Sequence, residues 1–143
     1  MPAAARWVAG EEVRRTSGRT LDLVVCAAGR PGEVLGEVGL VVVRHDRGWA
    51  EVGYWLFPQH RGRGMATRAV HLMASWALST LPLTRLFART HPDNPAAAAV
   101  VRRAGFALAG TRGEGTAEAT DVWFRDLPPR SGPDPTETGP GDA

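Results

Sequence analysis

The sequence predicts a mixed α+β domain: a mostly antiparallel central sheet with one parallel strand pair, and helices packed against it. Three observations carry this. Val- and Leu-rich segments of strand length are divided by Gly-containing turn clusters. The hydrophobic period changes from two to about 3.6 after Pro58. From there strand and helix patterns alternate, and a strand regained through a helical crossover runs parallel to the strand it left.

The elements follow in order. Arg6 to Thr16 holds Trp7, Val8 and Val13 at loose helical spacing, interrupted by Gly10, so residues 1–20 are expected to form a short N-terminal helical segment. Leu21 to Ala28 and Val34 to Arg44 read as two strands joined at Gly29-Arg30-Pro31-Gly32. The turn His45-Asp46-Arg47-Gly48 leads into a third, Trp49 to Phe57, completing a meander. The long helix then places Met65, Ala69, Met73, Trp76 and Ala77 on one stripe, with Arg68, His71 and Ser75 largely off it, and Pro82 stops it. Leu83 to Thr90 is the crossover strand. In His91-Pro92-Asp93-Asn94-Pro95, Asn94 suits the N-cap and Pro95 the first helical position of a second helix, Ala96 to Ala104. Gly105 suits its C-terminus. Phe106 to Ala109 and Asp121 to Leu127 close the sheet. The core of the domain is thus residues 21–127. From Pro128 to Ala143 apolar side chains all but vanish, and a segment of residues 128–143 that buries so little is expected to be a disordered tail.

Composition narrows the function classes. With 43% hydrophobic and 22% charged residues and no apolar run of roughly 18, the chain reads as a globular protein with no membrane partner. No apolar segment follows the N-terminal Arg6, so the cytoplasm is the expected compartment. Cys26, the single cysteine, sits in an apolar strand setting that suits a core thiol better than a nucleophile. His45, His60, His71 and His91 have no metal-ligand spacing, and no metal is expected. All 17 basic residues are Arg, against 15 acidic ones. No basic run forms, which argues against nucleic acid as a partner.

The chemistry concentrates in Arg61-Gly62-Arg63-Gly64-Met65-Ala66. Alternating glycines let the backbone turn with its N–H groups inward, at a helix N-terminus whose dipole favours an anion. A P-loop needs a Lys, which the chain lacks. A dinucleotide fingerprint needs a third glycine where Thr67 stands. R-x-x-G-x-A fits, through Arg61, Gly64 and Ala66.

That hexamer resembles the coenzyme A pyrophosphate loop of the GNAT superfamily of N-acetyltransferases, and the resemblance continues on both sides. Glu51-Val52-Gly53-Tyr54-Trp55-Leu56 before it, and His91-Pro92-Asp93-Asn94-Pro95-Ala96 and Arg103-Ala104-Gly105-Phe106 after it, resemble the branch that includes ribosomal-protein-alanine acetyltransferases, from about Leu21 to Leu127. The resemblance implies a GNAT-like sheet whose parallel pair splays apart, with helices on both faces. It implies acetyl-CoA as cosubstrate and a small-molecule or peptide amine as acceptor. The N–H groups of Arg61, Gly62, Arg63, Gly64, Met65 and Ala66 would cradle the pyrophosphate. Leu56 and Phe57 would pair with the pantetheine arm, and an N–H near Leu56 would face the thioester oxygen. Asn94 would contact the pantetheine or a water, or only cap its helix.

Glu51 is the candidate general base, sharing a strand face with Trp49, Gly53 and Trp55; the bland reading is a solvent-facing strand residue. Tyr54 falls on the other face, as core. Asp121 and Trp123 either border the acceptor channel or serve the strand and its packing. The chain departs from the family in three places. Val101 stands where many relatives carry a Tyr that protonates the leaving thiolate, and Ala97 where a coenzyme-contacting Ser is common. Only about twenty residues precede the first clear strand, where the family has a strand and two helices; Arg6 to Thr16 resembles the second helix, and the first strand and helix are expected to be missing. These departures leave a second expectation open, a catalytically weak or inactive acyl-CoA-binding module, and they leave open a homodimer.

Overall fold

The computed structural model describes residues 18–128. The helix expected over Arg6 to Thr16, and all but Pro128 of the expected tail, lie outside the described residues. The described elements are β1 (Thr20–Ala27), β2 (Arg30–Arg44), β3 (Trp49–Leu56), α1 (Met65–Thr80), β4 (Arg85–Thr90), α2 (Pro95–Arg103), β5 (Ala107–Arg112) and β6 (Thr120–Asp126). The strands form one six-stranded sheet in the order β1-β2-β3-β4-β6-β5.

Every neighbouring pair is antiparallel except β3–β4. That parallel pair is matched only at Trp49 to Arg85, Ala50 to Leu86 and Glu51 to Phe87. Beyond Glu51, β3 runs on to Leu56 and β4 to Thr90 without pairing, so the strands diverge. This is the expected splay, and it leaves one edge of each strand with main-chain groups facing an opening.

Local chemistry explains most boundaries. Gly29, at φ 71°, tightens the first hairpin to the pair Ala28-Gly29, so β2 begins at Arg30, earlier than the turn cluster suggests. A register shift beside Cys26 places that residue half-buried on an edge strand, its thiol directed to the Pro31 carbonyl at 3.2 Å, rather than in the core. At the other edge, β5 continues through Gly110 because β6 supplies partners on both sides of a bulge, and pairing outweighs the weak strand propensity of glycine.

Val38, Leu40, Ala50, Val52, Leu86, Ala88 and Trp123 point to one face, where they pack with both α1 and α2. The two described helices therefore share a face. A helix covering the other face would have to come from outside the described residues. On α1 the buried stripe is Val70, Met73, Ala74, Ala77 and Leu78, while Trp76 is exposed. The small Ala74 and Ala77, both fully buried, let the helix lie close to the sheet on their side, which rotates Trp76 outward from its expected place. Arg125 of β6 ties the layers together. Its guanidinium donates to the Ala104 carbonyl at 2.8 Å and the Ser75 hydroxyl at 2.9 Å, and burial pushes its pKa down.

Candidate active site

The glycine loop connects the diverging end of β3 to α1. A 3-10 turn at Pro58–His60 reverses the chain. Gly62 at φ 77° and Gly64 at φ 76° then set the left-handed turns that lead into the helix, with Gly64 as N-cap. The Arg61 N–H is used by the Pro58 carbonyl at 3.3 Å, and the first helical bond runs from the Arg68 N–H to the Gly64 carbonyl. Between them, the N–H groups from Gly62 to Thr67 have no acceptor among the described residues. No side chain caps the helix, and no carboxylate occupies its first turn. A run of unsatisfied donors at a helix start is an anion site by both hydrogen bonding and dipole. A Cβ at Gly62 or Gly64 would meet no protein atom within 4 Å, so these glycines serve the turn and leave open space beside it.

The loop is fastened to the splay by Arg61, whose Nε donates to the Leu56 carbonyl at 3.1 Å. The side chain expected to add charge to a pyrophosphate thus also positions the loop. The Phe57 N–H donates to the Leu35 carbonyl at 2.9 Å, toward β2. By strand alternation, the Leu56 N–H and carbonyl face the opposite way, into the splay. Of the two residues expected to meet the pantetheine, Leu56 has its main chain directed to the opening; Phe57 has its N–H engaged and its ring edge-on to Trp55 at 5.0 Å.

Glu51 lies at the last paired position before the divergence, on the face away from the helices with Trp49 and Trp55. Its carboxylate is not simply enclosed by aromatic rings. Arg89 of β4 grips both oxygens, Nε to Oε1 at 2.7 Å and Nη2 to Oε2 at 3.1 Å. The carboxylate raises the Arg89 pKa, first through this hydrogen bond and then through its charge. Sequence reasoning missed Arg89. The signal was there in the alternation Arg85, Phe87, Arg89 against Leu86, Ala88, Thr90, which puts both arginines on the face of Glu51.

On the second helix, the Asn94 side-chain oxygen accepts from the Ala97 N–H at 3.1 Å, so the capping role is filled. Val101 is 1% exposed and packs in the core, so this position carries an apolar packing group and no proton donor. Trp123 is buried and donates to the Thr90 hydroxyl at 2.9 Å; packing is its role, not a channel wall. Asp121 accepts from Thr111 across the β5–β6 hairpin. Tyr54 packs against the core as expected, and burial pushes its pKa up. A cavity of about 360 Å³ near Thr20, Leu40, Leu81 and Pro82 opens at the opposite end of the parallel pair and contains none of the expected site residues.

Residues 2–107 match the family model described as the acetyltransferase (GNAT) domain. The chain is 36% identical over 62 residues to the uncharacterized N-acetyltransferase p20 of Bacillus licheniformis, covering 43% of this chain and 35% of that protein. It is 33% identical over 79 residues to spermidine N(1)-acetyltransferase of Escherichia coli K12, covering 55% and 42%. It thus spans less than half the length of these curated relatives. In fold it is similar to the crystal structure of ribosomal-protein-S5-alanine acetyltransferase from Vibrio fischeri, with a TM-score of 0.75 at 20% identity over 87% of this chain and 70% of the other. No described helix is long and apolar enough to cross a membrane.

Proposed function

The chain belongs to the GNAT acetyltransferase domain family, and from that premise we propose that it transfers an acetyl group from acetyl-CoA to a primary amine in a ternary complex, in the cytoplasm. The observation that carries the proposal is the run of free N–H groups from Gly62 to Thr67, set at the mouth of the β3–β4 splay. The cradle suits a pyrophosphate, and the splay suits the arm leading from it.

The cosubstrate supplies an activated acetyl thioester. Gly62 to Thr67 hold its pyrophosphate, helped by the Arg61 and Arg63 charges. The Leu56 N–H faces the thioester oxygen and stabilises the charge that develops there. Glu51, directly or through a water, takes the proton that an ammonium must lose before its nitrogen can attack. The nitrogen then bonds to the acetyl carbon and gives up its second proton to solvent, the carbon–sulfur bond breaks, and the thiolate leaves. With Val101 in the core, the proton that neutralises the thiolate comes from solvent or back from Glu51. The Asn94 oxygen caps α2, which leaves its amide nitrogen as the part that can reach the pantetheine.

The test is a titration with acetyl-CoA followed by mass spectrometry of amines incubated with it. Binding in the micromolar range, stronger than for fragments lacking the pyrophosphate, together with an acetylated amine, is the expected result. No stabilisation at millimolar acetyl-CoA overturns the proposal. Binding without product across a broad amine panel reduces the protein to an acyl-CoA-binding module.

A further inference from the structure

On the face opposite the helices, β2, β3, β4, β5 and β6 enclose a cavity of about 310 Å³. Its apolar part is a ring cluster: Trp49 and Phe124 stand 6.3 Å apart, and Phe87 meets Phe124 at 6.5 Å. Its charged part is cationic, with Arg44, Arg89 and Arg112 and no carboxylate in the lining. Two of these charges are balanced nearby. Arg44 is held by both oxygens of Asp46, at 3.0 and 2.9 Å, and Arg89 by Glu51. Arg112 has no hydrogen-bond or ion-pair partner among the described residues. The cavity therefore carries one uncompensated positive charge beside an aromatic surface. Arg89, which lines the cavity while gripping Glu51, joins it to the proposed site of proton removal.

We propose that this cavity receives the acceptor, and that the acceptor is a peptide-like amine with an apolar side chain and a carboxylate one or two residues from its amino end. The proposal rests on the acetyl-transfer reading and deepens it by naming a substrate class. Charge decides against a polyamine, since Asp46 and Glu51 offset two of the three guanidiniums of the lining, Arg112 is left without a described acid, and added ammoniums would enter a site of net positive charge. Spacing decides against a free α-amino acid. Glu51 on β3 and Arg112 on β5 are three strand intervals apart across the sheet, about 14 Å, and the register Glu51–Phe87–Phe124 against Arg112–Thr120 offsets them four residues along it, so about 19 Å separates their backbones. Both side chains shorten that gap, but an amine and a carboxylate on one carbon do not span what is left. A peptide does: its amine lies at Glu51, its apolar side chain on Trp49, Phe87 and Phe124, and its carboxylate on Arg112.

Four acceptors test this by thiol release from acetyl-CoA: alanyl-phenylalanine; its C-terminal amide; alanyl-phenylalanyl-aspartate closed as the C-terminal amide; and spermidine. A charge-assisted pair lost from a partly enclosed site corresponds to about tenfold or more. The free dipeptide or the aspartate peptide should exceed the neutral amide at least tenfold in kcat/KM. Which of the two leads tells whether the anion is a chain terminus or an acidic side chain. Spermidine should trail all three, and Arg112→Gln should narrow the acid-to-amide gap toward unity while the coenzyme still binds. Equal use of acid and amide, or a preference for spermidine, overturns the proposal. If no amine turns over, calorimetry of the same compounds with the coenzyme A-loaded protein separates the two readings. A tenfold preference for acid over amide keeps the cavity assignment while transfer fails, and its absence sinks the assignment.

Discussion

Glu51 and Arg89 meet across 38 residues of chain, and their pairing defines what the proposed base is. The Arg89 side chain is 59% exposed, so the pair contributes little to stability, at most about 1 kcal/mol once solvent screening is counted. This makes the site easy to test without unfolding the protein. Glu51→Gln keeps the size and one hydrogen-bond acceptor for Arg89 but removes the basic oxygen. Its expected effect is a fall in kcat of about 10²- to 10⁴-fold, the usual range for loss of a general base, with the KM for acetyl-CoA and the melting temperature nearly unchanged. Turnover that matches the unsubstituted protein across pH removes Glu51 from the mechanism.

At the scale of elements, the start of each helix has a different task. At α1 the N-terminus is left uncapped and faces open space, while at α2 the Asn94 oxygen fills the same kind of position. Asn94→Ala removes that cap and should cost about 1 kcal/mol of stability in urea unfolding, with the slope of the transition unchanged. Should stability stay constant while acetyl-CoA binding weakens, Asn94 serves the coenzyme rather than the helix. Gly64→Ala tests the other terminus. The added methyl meets no protein atom, so its cost is the left-handed backbone alone, about 1 kcal/mol. Affinity for acetyl-CoA should fall by more than stability does, because a loop driven from φ 76° no longer aligns its N–H groups; calorimetry beside a melting curve separates the two.

At the scale of the whole molecule, the neighbouring inner strands β4 and β6 are joined by an ion pair over an aromatic face. Asp126 accepts from both Arg85 nitrogens, the Nη2 bond measuring 2.8 Å, and Arg85 stacks over Phe124 at 4.5 Å. Arg85 lowers the Asp126 pKa, chiefly through the hydrogen bond. A carboxyl whose pKa is lower folded than unfolded stabilises the fold above its unfolded value, about 3.9, and loses that contribution as pH falls through the folded value. The Asp126 side chain is 53% exposed, which keeps the effect small. Asp126→Asn should therefore cost under about 1 kcal/mol at pH 7 and progressively less as pH falls through the folded value, and it should matter less in high salt. A penalty that does not shrink in acid assigns the loss to packing instead of charge.

The sequence by itself determined the parts governed by short-range physics. Glycine spacing in Arg61 to Ala66 marked the left-handed turns, Asn94-Pro95 marked a helix start, and the change of period at Pro58 separated meander from crossover, because dihedral preference and capping act within a few residues. Even the face of Glu51 followed from alternation alone. What only the tertiary structure decided depends on register between distant segments. It ended the β3–β4 pairing at Glu51, put Arg89 on the Glu51 carboxylate, turned Trp76 outward, sank Val101 and Trp123 into the core, and left Arg112 without an ion-pair partner among the described residues, in a cavity with three aromatic rings. A one-residue slip in any of those pairings would send each side chain to the opposite face, and the packing of the whole sheet, not any local pattern, prevents it.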